Sequence, residues 1–551
     1  MKNNPEMTTP TVKFFDEYAE DDFYRDGLLP PRSRPAVPLG PQDLATIIDA
    51  SVAARPDDEA LVGAHARYTY AQLEVAVRAA TAALQSLGLR AGDRIAASLP
   101  NDPDIVIAFL ATQRLNAVWV GINRPSATAE KLHILRDSGA SILLATPLIT
   151  DEISAVMAEL PNLRRIVTVD AREVTAEWQQ LVAKHVGAPR AAVPIDPSRP
   201  ATIAYTSGTT GRPKGVVQNQ HNLALCIAGR ADAGQIYSRN GVATSLTIVN
   251  IMITSVLTPL MTGHFVACIE RLYLPDIVKW IEAEKLEIVG WVPTLIYDLL
   301  ENLDQYRSAI GSLKATVVGT THVPEEARDR IRAQFGNLIF AYGLTEAPCY
   351  VAVSRLGRPN PAGASGAIAP HLAVQIRDTD GKVLPAGKVG EIWMGPRESG
   401  PWAGAYTPML GYWHNPTETK LAISGTWVRT GDLGSLDDDE NLTIHGRLKE
   451  MIIRGGANIY SAEIERVLGE HDGIVECAVI GKPDDRLGET VVAIVQLAPD
   501  VPESADLVEQ FSEFCRASLA KYKIPDQWIF VKSMPRNEMG KIKRPELRNL
   551  L

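Results

Sequence analysis

Residues 204–217 read AYTSGTTGRPKGVV. Thr206, Ser207, Thr209 and Thr210 place four hydroxyls in five positions. Gly208 and Gly211 let backbone N–H groups approach an anion closely, and Lys214 adds a compensating charge. That chemistry suits phosphate. The loop is not of the Walker type, which reads G-x-x-x-x-G-K-[ST] and runs from a strand into a helix. Here Lys214 follows Pro213 and precedes Gly215, so no hydroxyl follows it to bind Mg²⁺. The flanks ATIAY (201–205) and GVVQ (215–218) both read as strands, giving strand, loop, strand. A polar surface loop is the competing account. It offers no reason for a lysine placed after such a run.

Three other stretches carry reactive types. AYGLTEAP (341–348) follows the apolar run NLIF and contains Thr345 and Glu346. WVRTGDLG (427–434) places Asp432 in a tight glycine turn, and PRNEMGKIKRPELR (535–548) sets Lys541 on another. Each has a local alternative: a turn-forming Asp432, a helix-capping Glu346, a core aromatic Tyr342.

The elements that must position these residues alternate between strand and helix. Strands are expected at 94–99, 117–122 and 141–146, with helices at 104–115 and 129–139, the second ending at Gly139. That order implies a layered α/β domain with largely parallel strands. After a boundary near HGRLKE (445–450) a smaller α/β unit follows. It has a helix at 461–471, with Ser461 as its cap, and strands at 476–481, 491–497 and 528–531. Residues 27–41 are a proline-rich lead-in.

Composition excludes several classes. A formal net charge of −10 argues against nucleic acid as a general partner. Five cysteines lie far apart without a C-x-x-C pair, which suits buried thiols in a reducing compartment. Ten scattered histidines show no metal-binding spacing. The most apolar window, 245–261, is interrupted by Thr, Asn and Ser and is shorter than the roughly 20 residues of a spanning helix. No transmembrane segment and a cytoplasmic location are the expectation. A homodimer is compatible with the sequence, which leaves the oligomeric state open.

Together, T-S-G-T-T-G-x-P-K-G, Y-G-L-T-E, R-T-G-D, G-R-x-K-E and the late G-K resemble the adenylate-forming superfamily of acyl-CoA synthetases, peptide-synthetase adenylation domains and luciferases. The resemblance runs in the family's order over nearly the whole chain after about residue 45. It implies an α/β fold with a large N-terminal domain (42–447), a small mobile C-terminal domain (448–551) and an extension at 1–41. It implies ATP, Mg²⁺ and coenzyme A as co-substrates and cofactor. By position, the 206–214 loop would hold the β- and γ-phosphates, Thr345 the α-phosphate and Glu346 the Mg²⁺. Tyr342 beside Gly343 would stack on adenine, with Gly319, Thr320 and Thr321 lining that site. Asp432 would take both ribose hydroxyls, helped by Arg447. Lys449 would be the hinge. Lys541 would swing onto the reacting groups for adenylation, and Gly455 and Gly456 would face the CoA thiol tunnel.

The acid itself is less legible. Amino-acid-activating relatives carry an aspartate where this chain has Asn250, beside Ile251, and no acidic residue lies between Ala243 and His264. An α-amino acid would bury its ammonium unpaired there, at a cost of several kcal/mol. A neutral, mainly apolar aryl, alicyclic or medium-chain acid is expected. Asn250 either bonds a polar group on that acid or satisfies a backbone group. The alternatives to a CoA ligase are an adenylate-forming ligase that loads a carrier-protein thiol and an inactive nucleotide- or acyl-sensing protein. The second should have lost Lys541, Glu346 or Asp432, and the chain keeps all three.

Overall fold

The computed structural model describes residues 28, 35–206, 213–234, 237–291, 293–319, 325–355, 360–361, 363–455, 457–499, 501–536 and 542–551. Among the described residues the strands form three sheets.

The first sheet has seven strands. Its centre is parallel: Val118–Gly121, Arg94–Ser98, Ile142–Ala145 and Arg165–Thr168 pair side by side. Such a sheet must be covered on both faces, and the two-residue period shows how. Ile95 and Ala97 point into a core with the helices Tyr70–Ser86 and Pro103–Arg114, while Ala96, Val118 and Val120 point the other way onto Thr128–Ser138. The helix starts are written locally. Thr69 and Gln72 form a reciprocal capping box at 3.3 and 2.9 Å, and Asp102 precedes a proline at the first helical position. Helix Thr128–Ser138 ends at Gly139, whose φ of 61° is left-handed.

The second sheet has fourteen strands. One half is parallel: Glu59–Val62, Phe265–Cys268, Arg239–Val242, Ile288–Trp291, Ala315–Gly319 and Asn337–Leu344. The rest is antiparallel and includes Trp427–Leu436 and Asn441–Arg447. The two sheets meet across the first helical layer, and one core cluster runs from Ile95 and Trp119 through Phe109 to Val266 and Cys268. They touch at Gly121, where a Cβ would lie 2.0 Å from the Thr247 carbonyl oxygen. Asn101 also ties them, donating to the Thr244 carbonyl at 2.9 Å and accepting from Leu246 N–H at 2.9 Å.

Within the 245–261 window, expected to be interior, residues 249–261 form a helix whose middle widens into a π turn over Met252–Leu257. It is buried in the shared core. Among the described residues no helix is long and apolar enough to cross a membrane.

The C-terminal unit is a five-stranded sheet with helices Ser461–Leu468 and Ala505–Ser518 on one face. Two expectations fail here and nearby. Ser461 does not cap its helix: the N-cap is Tyr460, and the Ser461 hydroxyl reaches back to the Glu450 carbonyl at 3.4 Å. Asp432 does not sit in a tight turn. It lies inside the ten-residue strand Trp427–Leu436, because Gly431 absorbs a φ of 70° without ending the ladder.

Candidate active site

Strands Pro200–Thr206 and Lys214–Asn219 pair antiparallel, with Thr206 opposite Lys214. The strand–loop–strand reading of the opening motif therefore holds, and the loop leaves and re-enters the sheet at that pair. Ser207, Gly208, Thr209, Thr210 and Gly211 lie outside the described residues. The stem is braced from behind. The Tyr205 hydroxyl donates to Asp137 at 2.6 Å, and the His133 ring lies 3.2 Å from the Pro213 carbonyl. Lys214 forms an ion pair with Glu418 and lies 5.6 Å above the Tyr412 ring.

Thr345 and Glu346 form the tip of a second hairpin, in which Leu344 pairs with Ala347. Gln218, four residues after Lys214, donates its amide to the Thr345 and Glu346 carbonyls at 3.2 and 3.0 Å. Tyr412 donates its hydroxyl to Glu346 Oε1 at 2.7 Å. Burial, and then the Glu346 charge, push the Tyr412 hydroxyl upward and keep it a donor. Asn250 donates to the Leu344 carbonyl at 3.3 Å, and its buried Oδ1 has no hydrogen-bond partner among the described residues. Ile251 packs against the shared core. The tip is thus held by side chains from the 218, 250 and 412 segments.

Two residues before the end of the same hairpin strand, the Tyr342 hydroxyl donates to Asp432 Oδ2 at 2.6 Å. Arg447 is register partner to Asp432 across the ladder, its Nε 3.6 Å from Oδ1. Asp432 N–H donates to Thr430 Oγ1 at 3.0 Å, and Thr430 donates on to the Ile392 carbonyl at 2.8 Å. Burial raises the Asp432 carboxyl above its usual range against the opposing pull of Tyr342 and Arg447. Burial and the Asp432 charge raise Tyr342. Gly319 pairs with Ala341, next to Tyr342 and the exposed Gly343. Thr320 and Thr321 are outside the described residues.

Lys449 lies in the short turn Leu448–Glu450 that follows Arg447. The next residue, Glu450, pairs with Arg544 at 3.1 Å, and Arg544 also bonds Glu465 at 2.8 Å and the Val479 carbonyl at 2.9 Å. Gly455 has φ 57° and donates to the Leu487 carbonyl at 2.7 Å within the C-terminal sheet. Gly456 and Lys541 are outside the described residues. The segment that carries Lys541 is closed by an antiparallel bridge between Arg536 and Ile542.

The structure therefore brings Lys214, Thr345, Glu346, Tyr342, Asp432 and Arg447 together from three hairpins, with Asn250 on a neighbouring helix. Sequence reasoning missed Gln218, Tyr412 and Glu418. A proline–threonine–glutamate run after an aromatic gives no catalytic signal by itself.

A family profile described as AMP-binding enzyme matches residues 48–413, and its C-terminal domain profile matches 463–541. The chain belongs to the AMP-binding enzyme family. It is an adenylate-forming acid–thiol ligase of the acyl-CoA synthetase type. It is similar to the 3-[(3aS,4S,7aS)-7a-methyl-1,5-dioxo-octahydro-1H-inden-4-yl]propanoyl:CoA ligase of Mycobacterium tuberculosis, at 32% identity over 92% of this chain and 99% of that one. It is also similar to the indoleacetate–CoA ligase of Aromatoleum aromaticum, at 29% identity over 92% and 98%. Among solved structures, ATP-bound MatB from Rhodopseudomonas palustris superposes with a TM-score of 0.82, at 26% identity over 92% of this chain and 98% of that one. The adenylate-forming fold and the CoA-ligase family thus follow the expectation from sequence.

Proposed function

We propose that this enzyme is an ATP-dependent, AMP- and pyrophosphate-forming carboxylic acid:CoA ligase that works through an acyl-adenylate. Its substrate is a neutral aryl, alicyclic or medium-chain acid. The observation that carries the reading is the convergence, from three hairpins, of Lys214, the Thr345–Glu346 tip and the Tyr342–Asp432–Arg447 group, drawn from segments more than 200 residues apart. Relatives that match over almost their full lengths are named as CoA ligases for ring-bearing acids, which favours CoA over a carrier-protein thiol.

In this reading the acid carboxylate attacks the α-phosphorus of ATP, and the site must neutralise charge building on that phosphate away from water. Thr345 and Lys541 face the α-phosphate, and Lys214 with the 206–211 hydroxyls and amides holds the outer phosphates. Asp432 and Arg447 hold the ribose, and Tyr342 with Gly319, Thr320, Thr321 and Gly343 surrounds the adenine. Glu346 fits Mg²⁺: it is one carboxylate with one oxygen engaged by Tyr412, and magnesium is usually held by one or two carboxylates plus substrate phosphates. When bound, the ion would neutralise phosphate charge. Asn250 fits both of its expected roles, since its amide N–H₂ is used on the backbone while Oδ1 is left to meet a substrate donor. The domain boundaries at 41/42 and 447/448, the hinge at Lys449 and the CoA face at Gly455–Gly456 complete the proposal. Four described cysteines, all buried thiols outside any disulfide among the described residues, fit a reducing cytoplasm.

The test is AMP release from MgATP across benzoates, cinnamates, arylacetates, alicyclic acids, fatty acids and amino acids, with and without CoA. Acid-dependent AMP that needs CoA and yields a thioester is expected. Adenylate formation indifferent to CoA would redirect the search to a carrier protein.

A further inference from the structure

Lys214 and Glu346 arrive on different hairpins, yet both touch Tyr412. The two-residue strand Gly411–Tyr412 pairs with the strand Lys214–Asn219, Tyr412 opposite Val216. Alternate residues of a strand share a face, so a side chain level with Val216 stands beside that of Lys214. The Lys214 ammonium lies 5.6 Å from the centroid of the Tyr412 ring. At the far edge of the same ring, the hydroxyl donates to Glu346 Oε1 at 2.7 Å.

Tyr412 is itself firmly seated. Its backbone N–H donates to Thr419 Oγ1 at 2.9 Å, and the Thr419 hydroxyl donates to the Asn415 carbonyl at 2.9 Å. The residue is buried with Val216, Met409 and Ile423. Helix Pro416–Ala422, which carries Thr419, also carries Glu418, and the Glu418 carboxylate pairs with Lys214. A carboxylate and a ring face thus bound the ammonium on two sides, and the Lys214 side chain is only 15% exposed. Lysine has a long flexible stem, and restraining it before a ligand arrives lowers the entropy lost on binding. The hydroxyl restrains Glu346 in the same way, holding one carboxylate oxygen and leaving the other for a cation.

We propose that Tyr412 is a positioning residue for both charges: its hydroxyl holds Glu346 for the magnesium ion, and its ring, with Glu418, holds Lys214 for the outer phosphates. The proposal rests on the ligase reading above, through its assignments of Glu346 and Lys214. Substitution separates the two roles. Phenylalanine keeps the ring face and drops the hydroxyl, whereas leucine drops both.

The experiment measures the Kd for ATP on the full chain, without acid or CoA, once in EDTA and once in excess Mg²⁺. The ratio of the two is the gain in binding brought by the metal. Tyr412→Phe should cut that gain about tenfold or more, the range for losing the partner of a metal-binding group, while the Kd in EDTA stays within about threefold of wild type. Glu346→Gln should cut the gain too. Combining the two substitutions should cost no more than Glu346→Gln alone, because the hydroxyl acts through that carboxylate. Tyr412→Leu should in addition weaken ATP in EDTA by about two- to tenfold, the range for a lysine–aromatic contact, and this extra loss should vanish in a Lys214→Met background. Melting temperatures in EDTA without nucleotide establish that each variant is folded. A folded Tyr412→Phe enzyme with an unchanged gain would overturn the proposal. So would losses that add in the double variant, which would make Tyr412 a packing residue. A wild-type enzyme whose ATP binding ignores Mg²⁺ overturns it as well, without any variant. Failure of the ligase reading looks different: MgATP binds as described, but no carboxylic acid gives CoA-dependent AMP.

Discussion

Replacing Asp432 with Asn tests the nucleotide half of the site in two independent ways. The side chain keeps its size, and its Oδ1 can still accept from Tyr342, now 2.6 Å from the carboxylate. What is lost, on the proposed assignment, is an ionised acceptor for two ribose hydroxyls. Each such bond is worth about 1.5–3 kcal/mol, and paired effects are not additive, so about 3 kcal/mol or 10²-fold in kcat/KM for ATP is expected. The Arg447 contact adds little, because that guanidinium is 57% exposed and 3.6 Å away. Stability should move the other way. Burial raises the Asp432 carboxyl, so the folded state holds its proton more tightly than the unfolded chain does. The ionised group therefore costs stability at neutral pH, and that cost disappears as pH falls through the folded value. Asp432→Asn should melt at the same temperature or higher than wild type at pH 7 to 8, with the difference shrinking toward pH 4. Kinetics at varied ATP and thermal melting across pH read both effects. A kcat/KM for ATP within threefold of wild type, or a melting temperature that drops at pH 7 and stays down in acid, would refute the reasoning.

Three further outcomes are expected. Lys541→Ala should slow adenylation by about 10²–10³, the range for one oxyanion-type donor, while thioester formation from supplied acyl-adenylate changes far less; equal losses in the two half-reactions would contradict the assignment. Gln218→Met removes the donor from two carbonyls at 3.2 and 3.0 Å and should lower stability by about 1–3 kcal/mol in denaturant titration, with kcat falling about tenfold. Burial holds His371 down to about 3, so it excludes a proton that the unfolded chain accepts near 6.5. Its contribution is intact above pH 6.5 and is lost as pH falls toward 3. His371→Gln should flatten the fall in melting temperature across that window.

Much of this architecture was legible because its signals are local. Short apolar runs bounded by turn residues marked the first sheet, and Gly139 marked a helix end. The phosphate loop's flanks showed a hairpin rather than a strand and helix. Local reasoning failed where a neighbour in space overruled the neighbour in sequence. Ser461 looks like a cap, but Glu450 takes its hydroxyl. Asp432 looks like a turn residue because Gly431 precedes it, yet pairing with Arg447 keeps it in a strand. Gln218, Tyr412 and Glu418 reach their partners across 66 to 204 residues. No window of sequence contains both members of those pairs.

Besides Tyr412, the Thr345–Glu346 tip is supported by Gln218, on strand Lys214–Asn219, and by Asn250, on the helix that widens into the π turn. Any shift of the tip that improves the fit of one substrate is therefore felt by both supports. Such an arrangement would couple the two substrates, and coupling is always reciprocal: the factor by which the acid changes the Kd for ATP must equal the factor by which ATP changes the Kd for the acid. A substitution at Gln218 or Asn250 should then alter that shared factor as well as either affinity alone, so that a residue placed near one substrate changes how strongly the other is held.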